Sequence, residues 1–335
     1  MKSTTGLILK RPSFKTWQFK RKFRKHRSIG SSPINPSGDW TNFLPKNEYQ
    51  LHRKFDDYGC VTHSAQNLLE TLLYFKMKAL DRNDITQTLA SLGMLDDTGR
   101  PNFDDWFTVL MSGTTPGRGN SQERVWDNIR TLGLIGQLPF DENMSQAEYY
   151  NKNNTKPEML SKAKKFLEHF KINSEYLKTV GLPIWAGGTK SALGEIKEGL
   201  THSPLQTVVN NGTHCEMTYN EDSGEELSLN SYKGRELLRR NYGYHQFHIK
   251  ADCELIKPLA MPQLYKKAGT KAIYFLNLDD MKLVPYADGI VSGGSMFKTT
   301  GLVYSMAERV EELPYEIADY SMTTIKNIDL IKLNS

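Results

Sequence analysis

From Cys60 onward, apolar residues recur at three- and four-residue spacing, and Val61, Ala65, Leu68, Leu69, Leu72 and Leu73 fall on one stripe. That period predicts an amphipathic helix from Cys60 to about Leu80. Asp56, Asp57, Tyr58 and Gly59 form a polar turn ahead of it, so Cys60 stands in the first turn of a buried helix. Further helices are predicted over 82–93, 121–132 (Arg124, Val125, Trp126 and Ile129, closed by Gly133), 157–171 and 190–200. Between them, Ser112 to Asn120 is a glycine-rich loop. It reads either as a wall of a cleft, where missing side chains let a substrate strand approach, or as a solvent loop.

After Pro204 the texture changes. Gln206–Asn210, Glu216–Tyr219, Glu226–Leu229, Gln246–Ile249 and Ala272–Leu276 are short, β-prone and separated by turns such as Asn211-Gly212 and Ser223-Gly224. Helices first and strands afterwards predict an α+β body of two sub-domains. The expected division is a basic arm and linker over 1–47, a helical sub-domain over 48–200 and a β-rich sub-domain over 201–264. A C-terminal extension over 265–335, packed on the β sub-domain, completes it, with a hairpin around Asp279-Asp280 and an amphipathic helix near 302–313. No internal repeat is visible.

Composition narrows the class. Hydrophobic residues make up 38% and aromatics 10% of the 335 residues, which excludes a mostly disordered chain. No apolar run approaches the roughly 18 residues of a membrane span, and no apolar signal core follows the basic start. The formal charge of +5 conceals an asymmetry. Residues 1–30 carry ten basic side chains, Lys2 to Arg27, and no acid; removing those ten from 43 leaves 33 basic against 38 acidic, a net of −5 for the rest. The arm reads as a solvated segment, or as one that contacts nucleic acid or an acidic protein surface. Residues 28–47 are turn-rich and read as an extended linker. Three cysteines, Cys60, Cys215 and Cys253, cannot all pair within one chain. The odd count points to the cytoplasm or another reducing compartment, and to at least one free thiol.

A thiol attacks a carbonyl as thiolate, and a helix N-terminus favours that charge. Cys60 holds such a position, although most free cysteines are small buried hydrophobes. Activation needs a base. His214 follows the Asn211-Gly212 turn at the lip of a predicted strand, presented by rigid backbone. His63 lies one turn along the helix from Cys60; a neighbour on one helix rarely gains the in-line approach, so it reads as structural. A third group must orient the imidazole, and Asn230 stands at the end of the strand Glu226–Leu229.

The order of Cys at a helix start, Gly-x-His at a strand start and Asn-Ser-aromatic-x-Gly resembles the papain-like cysteine proteases over roughly residues 48–250. Two further stretches resemble the same family: Arg124–Arg130 with Gly133-Leu134 and Leu138-Pro139-Phe140, and Ala192–Val209. The resemblance implies a thiol protease with Cys60 as nucleophile, His214 as general base and acid, and Asn230 holding the imidazole. Tyr232 replaces the tryptophan that usually shields the Asn–His bond. Gln50 becomes the oxyanion donor, farther upstream of Cys60 than the family spacing, so that either Leu51–Tyr58 is an insertion or another donor serves. No metal or organic cofactor is implied, and the partner is a peptide or protein substrate.

Two other readings compete. The stretch Gly59-Cys60-Val61-Thr62-His63-Ser64 resembles papain-like proteins of phage genomes, which implies a scaffold with weak or lost activity in a virion. Cys60-x-x-His63 with His214-Cys215 offers zinc ligands, but adjacent His-Cys ligands fit the usual spacings poorly. An arm that binds nucleic acid should lose affinity steeply with salt. Deleting residues 1–30 should then abolish binding, which a titration of both chains measures.

Overall fold

The computed structural model describes residues 7, 33–45, 50, 54–139, 143–177, 188–209, 213–232, 237–241 and 248–257, and the strand residues 264–267, 273–277, 282–287, 290–291 and 312–313. Helices run over Cys60–Lys78 (α1), Asn83–Ser91 (α2), Asp105–Met111 (α3), Gln122–Leu132 (α4), Gln146–Tyr149 (α5), Pro157–His169 (α6) and Gly188–Leu200 (α7). Six strands form one antiparallel sheet: Phe170–Tyr176 (β1), Leu205–Val209 (β2), His214–Asp222 (β3), Glu225–Leu229 (β4), Leu237–Asn241 (β5) and His248–Leu255 (β6), in the order β1-β6-β2-β3-β4-β5. The result is a mixed helix and antiparallel-sheet architecture, in agreement with the α+β class.

α1 is the centre of this arrangement. The sequence predicts one apolar stripe, yet the helix is buried around its whole circumference, with Thr62, His63, Gln66, Asn67, Glu70 and Thr71 as covered as Leu68 and Leu72. Its polar side chains reach neighbouring loops. Gln66 donates to the Asp104 carbonyl and to Thr108 Oγ1, and Glu70 accepts from the Phe103 N–H at 2.6 Å. Burial, with Asp105 nearby, pushes the Glu70 carboxyl well above the ordinary range, towards its neutral form. On the sheet side, Gln206 of β2 donates to the Val61 carbonyl at 2.7 Å and to Ser64 Oγ at 3.0 Å, and accepts from the Trp126 indole of α4 at 2.8 Å. One buried amide thus ties two helices and a strand together.

The helix boundaries follow local chemistry. Ser121 caps α4, and Gly133 ends it with φ of 93°; a Cβ there would lie 1.9 Å from the Ala163 carbonyl oxygen, so only glycine fits. α6 opens on Pro157 and stops at His169, two residues short of expectation, because Phe170 turns extended and starts β1. That strand comes from within the stretch expected to be helical. α3 was not predicted: Asp104 caps it through the Phe107 N–H, and its seven residues are too few to show a period.

Residues 33–45 differ from the expected extended linker. They dock on the body: Trp40 is fully buried, donates its indole N–H to the Leu200 carbonyl at 2.8 Å and packs on Phe75 with centroids 4.8 Å apart. A short 3-10 turn, Thr41–Phe43, follows. Within the basic arm, Leu7 is described: it is buried and bridges Asn120 in parallel. Asn120 also closes the glycine-rich loop, its amide donating to Ser112 and Thr114.

A second sheet joins Leu264–Lys267 (β7), Ile273–Asn277 (β8), Lys282–Ala287 (β9), Ile290–Val291 (β10) and Glu312–Leu313 (β11) in the order β10-β9-β8-β7-β11. β8 and β9 pair antiparallel from Asn277↔Lys282, the expected hairpin strands, although its turn lies outside the described residues. The helix expected over 302–313 lies outside them too, save for Glu312–Leu313, which are strand. The side chains of this sheet, and with them the expected packing on the β sub-domain, also lie outside the described residues. Among the described residues no helix is long and apolar enough to cross a membrane.

Trp40→Ala should lower the unfolding free energy by about 3–5 kcal/mol, the usual cost of emptying a large aromatic site. Equilibrium denaturation checks this, since a loosely attached linker would leave the midpoint unchanged.

Candidate active site

Strand register assembles the site. The β2–β3 pairing ends at Val209↔His214, which puts His214 at the first position of β3, beside the turn. Residues alternate across a strand, so Glu216 shares the His214 face. The β3–β4 pairing Met217↔Leu229 then brings Asn230, just past the end of β4, opposite Glu216 and diagonal to His214. Asn230 Oδ1 lies 3.1 Å from His214 Nε2, and both residues are buried. His214 Nδ1 has no hydrogen-bond partner among the described residues.

Tyr232 covers this pair. Its ring centroid is 5.2 Å from that of His214, its N–H donates to Asn230 Oδ1 at 3.1 Å, and its hydroxyl donates to Asp56 Oδ2 at 2.9 Å. Asp56 Oδ1 accepts from Gln50 Nε2 at 2.9 Å and from the Tyr58 N–H at 2.7 Å. Gln50 is in turn tied to the residue after Asn230: its N–H donates to the Ser231 carbonyl, and its Oε1 accepts from Ser231 Oγ at 2.6 Å. Gln50, Asp56, Asn230 and Tyr232 therefore meet, although they are spread along the sequence.

The turn before Cys60 is fixed by Asp57. One carboxylate oxygen accepts the Gly59 N–H at 2.7 Å; the other lies 3.0 Å from His63 Nε2 and accepts from Tyr149 Oη at 3.2 Å. Tyr150 donates to the Asp57 carbonyl. Tyr58 takes a left-handed φ of 51°, a strained conformation for a bulky residue. A Cβ on Gly59 would fall 2.7 Å from Asp57 Oδ1 and 2.9 Å from Val109 Cγ2. The backbone thus enters α1 by one tightly held route.

Cys60 is fully buried, and its sulfur is met by the backbone N–H groups of Cys215 and Val61. Cys215 follows His214 directly, so β3 carries the imidazole on the residue next to the one whose N–H meets the sulfur. Among the described residues no hydrogen bond joins the thiol and the imidazole. Burial pushes the Cys60 thiol up to about 12, with Asp56 and Asp57 acting the same way and the two N–H groups opposing. Burial also lowers His214, against smaller raising effects of Glu216 and Asn230. Both shifts disfavour the charged forms, in contrast to what a resting thiolate–imidazolium pair requires.

His63, read from sequence as structural, lies between two carboxylates: Asp57 at Nε2, and Asp105 Oδ1 at 3.3 Å from Nδ1. Burial works against its charge, yet Asp105 and Asp57 outweigh it and raise the imidazole to about 10. The possible zinc set is not gathered at one point, and no cluster of three or more metal-binding side chains is found among the described residues. Cys215 and Cys253 are buried free thiols.

Three participants were missed in the sequence. Asp56 appeared only as part of a polar turn. Glu216 accepts from Asn230 Nδ2 at 3.0 Å and from both Nη2 (2.7 Å) and Nε (3.3 Å) of Arg240. The available signal was the alternation His214-x-Glu216, which puts a charge on the same buried strand face as the histidine.

The chain's structural neighbours include cysteine proteases. Digestive procathepsin L 3 from the larval midgut of Tenebrio molitor is 12% identical, with 67% of this chain and 72% of that one covered and a TM-score of 0.39. Bromelain protease from Ananas comosus, in complex with the E64 inhibitor, is 10% identical, with 64% and 96% covered and a TM-score of 0.37. A recombinant stem bromelain precursor is 10% identical, with 70% and 76% covered and a TM-score of 0.39. No family model matches the chain, and no curated protein matches it. Nothing in these comparisons supports a phage-encoded variant.

The charged His63 predicts a pH effect on stability. Its folded pKa is raised above the ordinary 6.5, so its contribution is complete below that value and is lost as pH climbs through about 10. Denaturation between these limits should show a loss on the order of a few kcal/mol, and His63→Gln should remove most of the pH dependence.

Proposed function

We propose that the chain is a papain-like thiol protease that hydrolyses peptide bonds through Cys60. The observation that carries this reading is the buried His214 Nε2–Asn230 Oδ1 contact of 3.1 Å, capped by Tyr232. It holds one imidazole nitrogen and leaves Nδ1 for a substrate-side proton, while Cys60 meets the N–H of the residue next to that histidine. A nucleophile, a base and an orienting group are the elements such chemistry requires.

In the proposed cycle the Cys60 S–H proton passes to His214 Nδ1 as sulfur bonds to the carbonyl carbon of the substrate. The oxyanion is stabilised by the Cys60 N–H, which at a helix start lacks an intrahelical acceptor, and by Gln50. A primary amide carries two N–H bonds; Gln50 commits one to Asp56 and keeps the other. The imidazolium then protonates the departing amine as the C–N bond breaks, leaving a thioester. Water adds to the thioester as His214 takes its proton, and thiol and acid are released.

A second reading is a scaffold of the same shape with weak or lost activity, acting by interaction. It is favoured by the complete burial of Cys60 and by the two carboxylates, Asp56 and Asp57, that disfavour its thiolate.

Labelling by a peptide epoxide separates the two. The protease reading expects modification at Cys60 and not at Cys215 or Cys253, with His214→Ala slowing it by about 10²–10⁴-fold, the usual worth of a positioned base. Equal, slow labelling of all three cysteines favours the scaffold. Where peptide cleavage is measured, Gln50→Ala should reduce it by about 10²–10³-fold.

A further inference from the structure

A neutral imidazole carries its proton on either nitrogen, and only one tautomer serves a thiol that approaches Nδ1. His214 must keep its proton on Nε2. Nε2 faces Asn230, but a carboxamide can present oxygen or nitrogen with nearly the same shape. The tautomer therefore depends on what orients the amide of Asn230.

Two contacts do so. The Tyr232 N–H can only donate, and it meets Asn230 Oδ1 at 3.1 Å. Glu216 as a carboxylate can only accept, and it meets Asn230 Nδ2 at 3.0 Å. Glu216 is 1% exposed, and Arg240 engages both its oxygens, at 2.7 and 3.3 Å. A buried carboxylate held by a guanidinium fork is a rigid acceptor. With both ends of the amide assigned, Oδ1 faces the ring and Nε2 is the donor. Glu216 Oε1 itself lies 4.0 Å from Nε2, beyond hydrogen-bond reach.

We propose that Glu216 and Arg240 are a positioning pair that orients Asn230 and thereby fixes His214 as the Nε2–H tautomer, leaving Nδ1 to receive the Cys60 proton. The catalytic meaning of this pair rests on the thiol-protease reading; its effect on the tautomer does not. Without the carboxylate, Asn230 loses its acceptor, and the guanidinium, left unpaired, draws the amide oxygen towards itself. The amide then turns its N–H to Nε2, and the ring proton moves to Nδ1.

The test uses the full chain with ¹⁵N-labelled histidine, His214 being assigned through His214→Gln. The wild type is expected to show a protonated Nε2 and an unprotonated Nδ1. Glu216→Met should populate the Nδ1–H form and lower kcat on unstructured peptides by about tenfold, with KM changed less than about twofold. Adding Arg240→Met should restore part of both. Glu216→Gln keeps the shape and one acceptor; it should give an intermediate shift and carries the test if Glu216→Met does not fold. Glu226→Gln, a buried carboxylate on β4 that contacts His248 and Thr218, controls for loss of buried charge and should leave the His214 tautomer unchanged. A His214 that stays Nε2–H in the folded Glu216 variants, with wild-type kcat, overturns the proposal. A wild type that cleaves no peptide while the tautomer responds as expected upholds the positioning pair and overturns the protease reading.

Discussion

A helix buried on every side gains by pairing its polar groups, and α1 carries them along nearly its whole length. Neighbours hold most of them, while Thr62 Oγ1 and Asn67 Oδ1 find no hydrogen bond among the described residues. An unpaired buried polar group costs on the order of 1–3 kcal/mol, so the neighbours of such a helix cannot be placed freely. His63 draws in Asp57 and Asp105, Glu70 takes the Phe103 N–H, Gln66 takes the start of α3, and the first turn receives Gln206 from the sheet. The turn that delivers Cys60, the short helix beside it and the strand behind it are all indexed to one element. The position of the thiol follows from that demand, because Asp57 binds His63 and the Gly59 N–H with the same carboxylate.

The electrostatics at Cys60 and His214 run against spontaneous charge separation. Removing both groups from water disfavours thiolate and imidazolium alike, and Asp56 and Asp57 add to the first effect while Arg240 adds to the second. Opposing them are Glu216, the Asn230 contact and the N–H groups of Cys215 and Val61. The fixed dipoles that meet the sulfur need no rearrangement when charge develops there. Burial thus disfavours a resting thiolate–imidazolium pair at both of its ends.

What the sequence made legible was whatever a short period or a local turn encodes. The leucine spacing of α1, the strand that starts at His214 and the asparagine at the end of β4 could all be read within a dozen neighbouring residues. α3 could not, since seven residues including Trp106, Phe107 and Val109 give no repeat and are not strong helix formers. Trp40 looked like part of a turn-rich stretch because its partners, Leu200 and Phe75, are far along the chain. Nothing in the sequence between Gln50 and Cys60 signals that Asp56 accepts from the Gln50 amide. The pairing of Glu216 with Arg240 was hidden for another reason. Alternation tells which face a residue occupies, but register decides which residues on that face meet, and register was not in the pattern.

His63 and His214 are two buried imidazoles shifted in opposite directions. Burial alone lowers both, since it penalises the charged ring. His63 touches Asp57 at 3.0 Å and lies 3.3 Å from Asp105, and the two negative charges carry it up to about 10. His214 also has a carboxylate behind it, but Asn230 stands between them, and Glu216 remains at 4.0 Å. The amide passes on orientation without contributing a full charge. His63, placed directly between Asp57 and Asp105, is raised and fixes a turn; His214, held through an amide, is lowered, chiefly by its burial. The interposed asparagine is therefore what keeps Glu216 off the His214 ring: Glu216 accepts from its amide at 3.0 Å and stays 4.0 Å from Nε2.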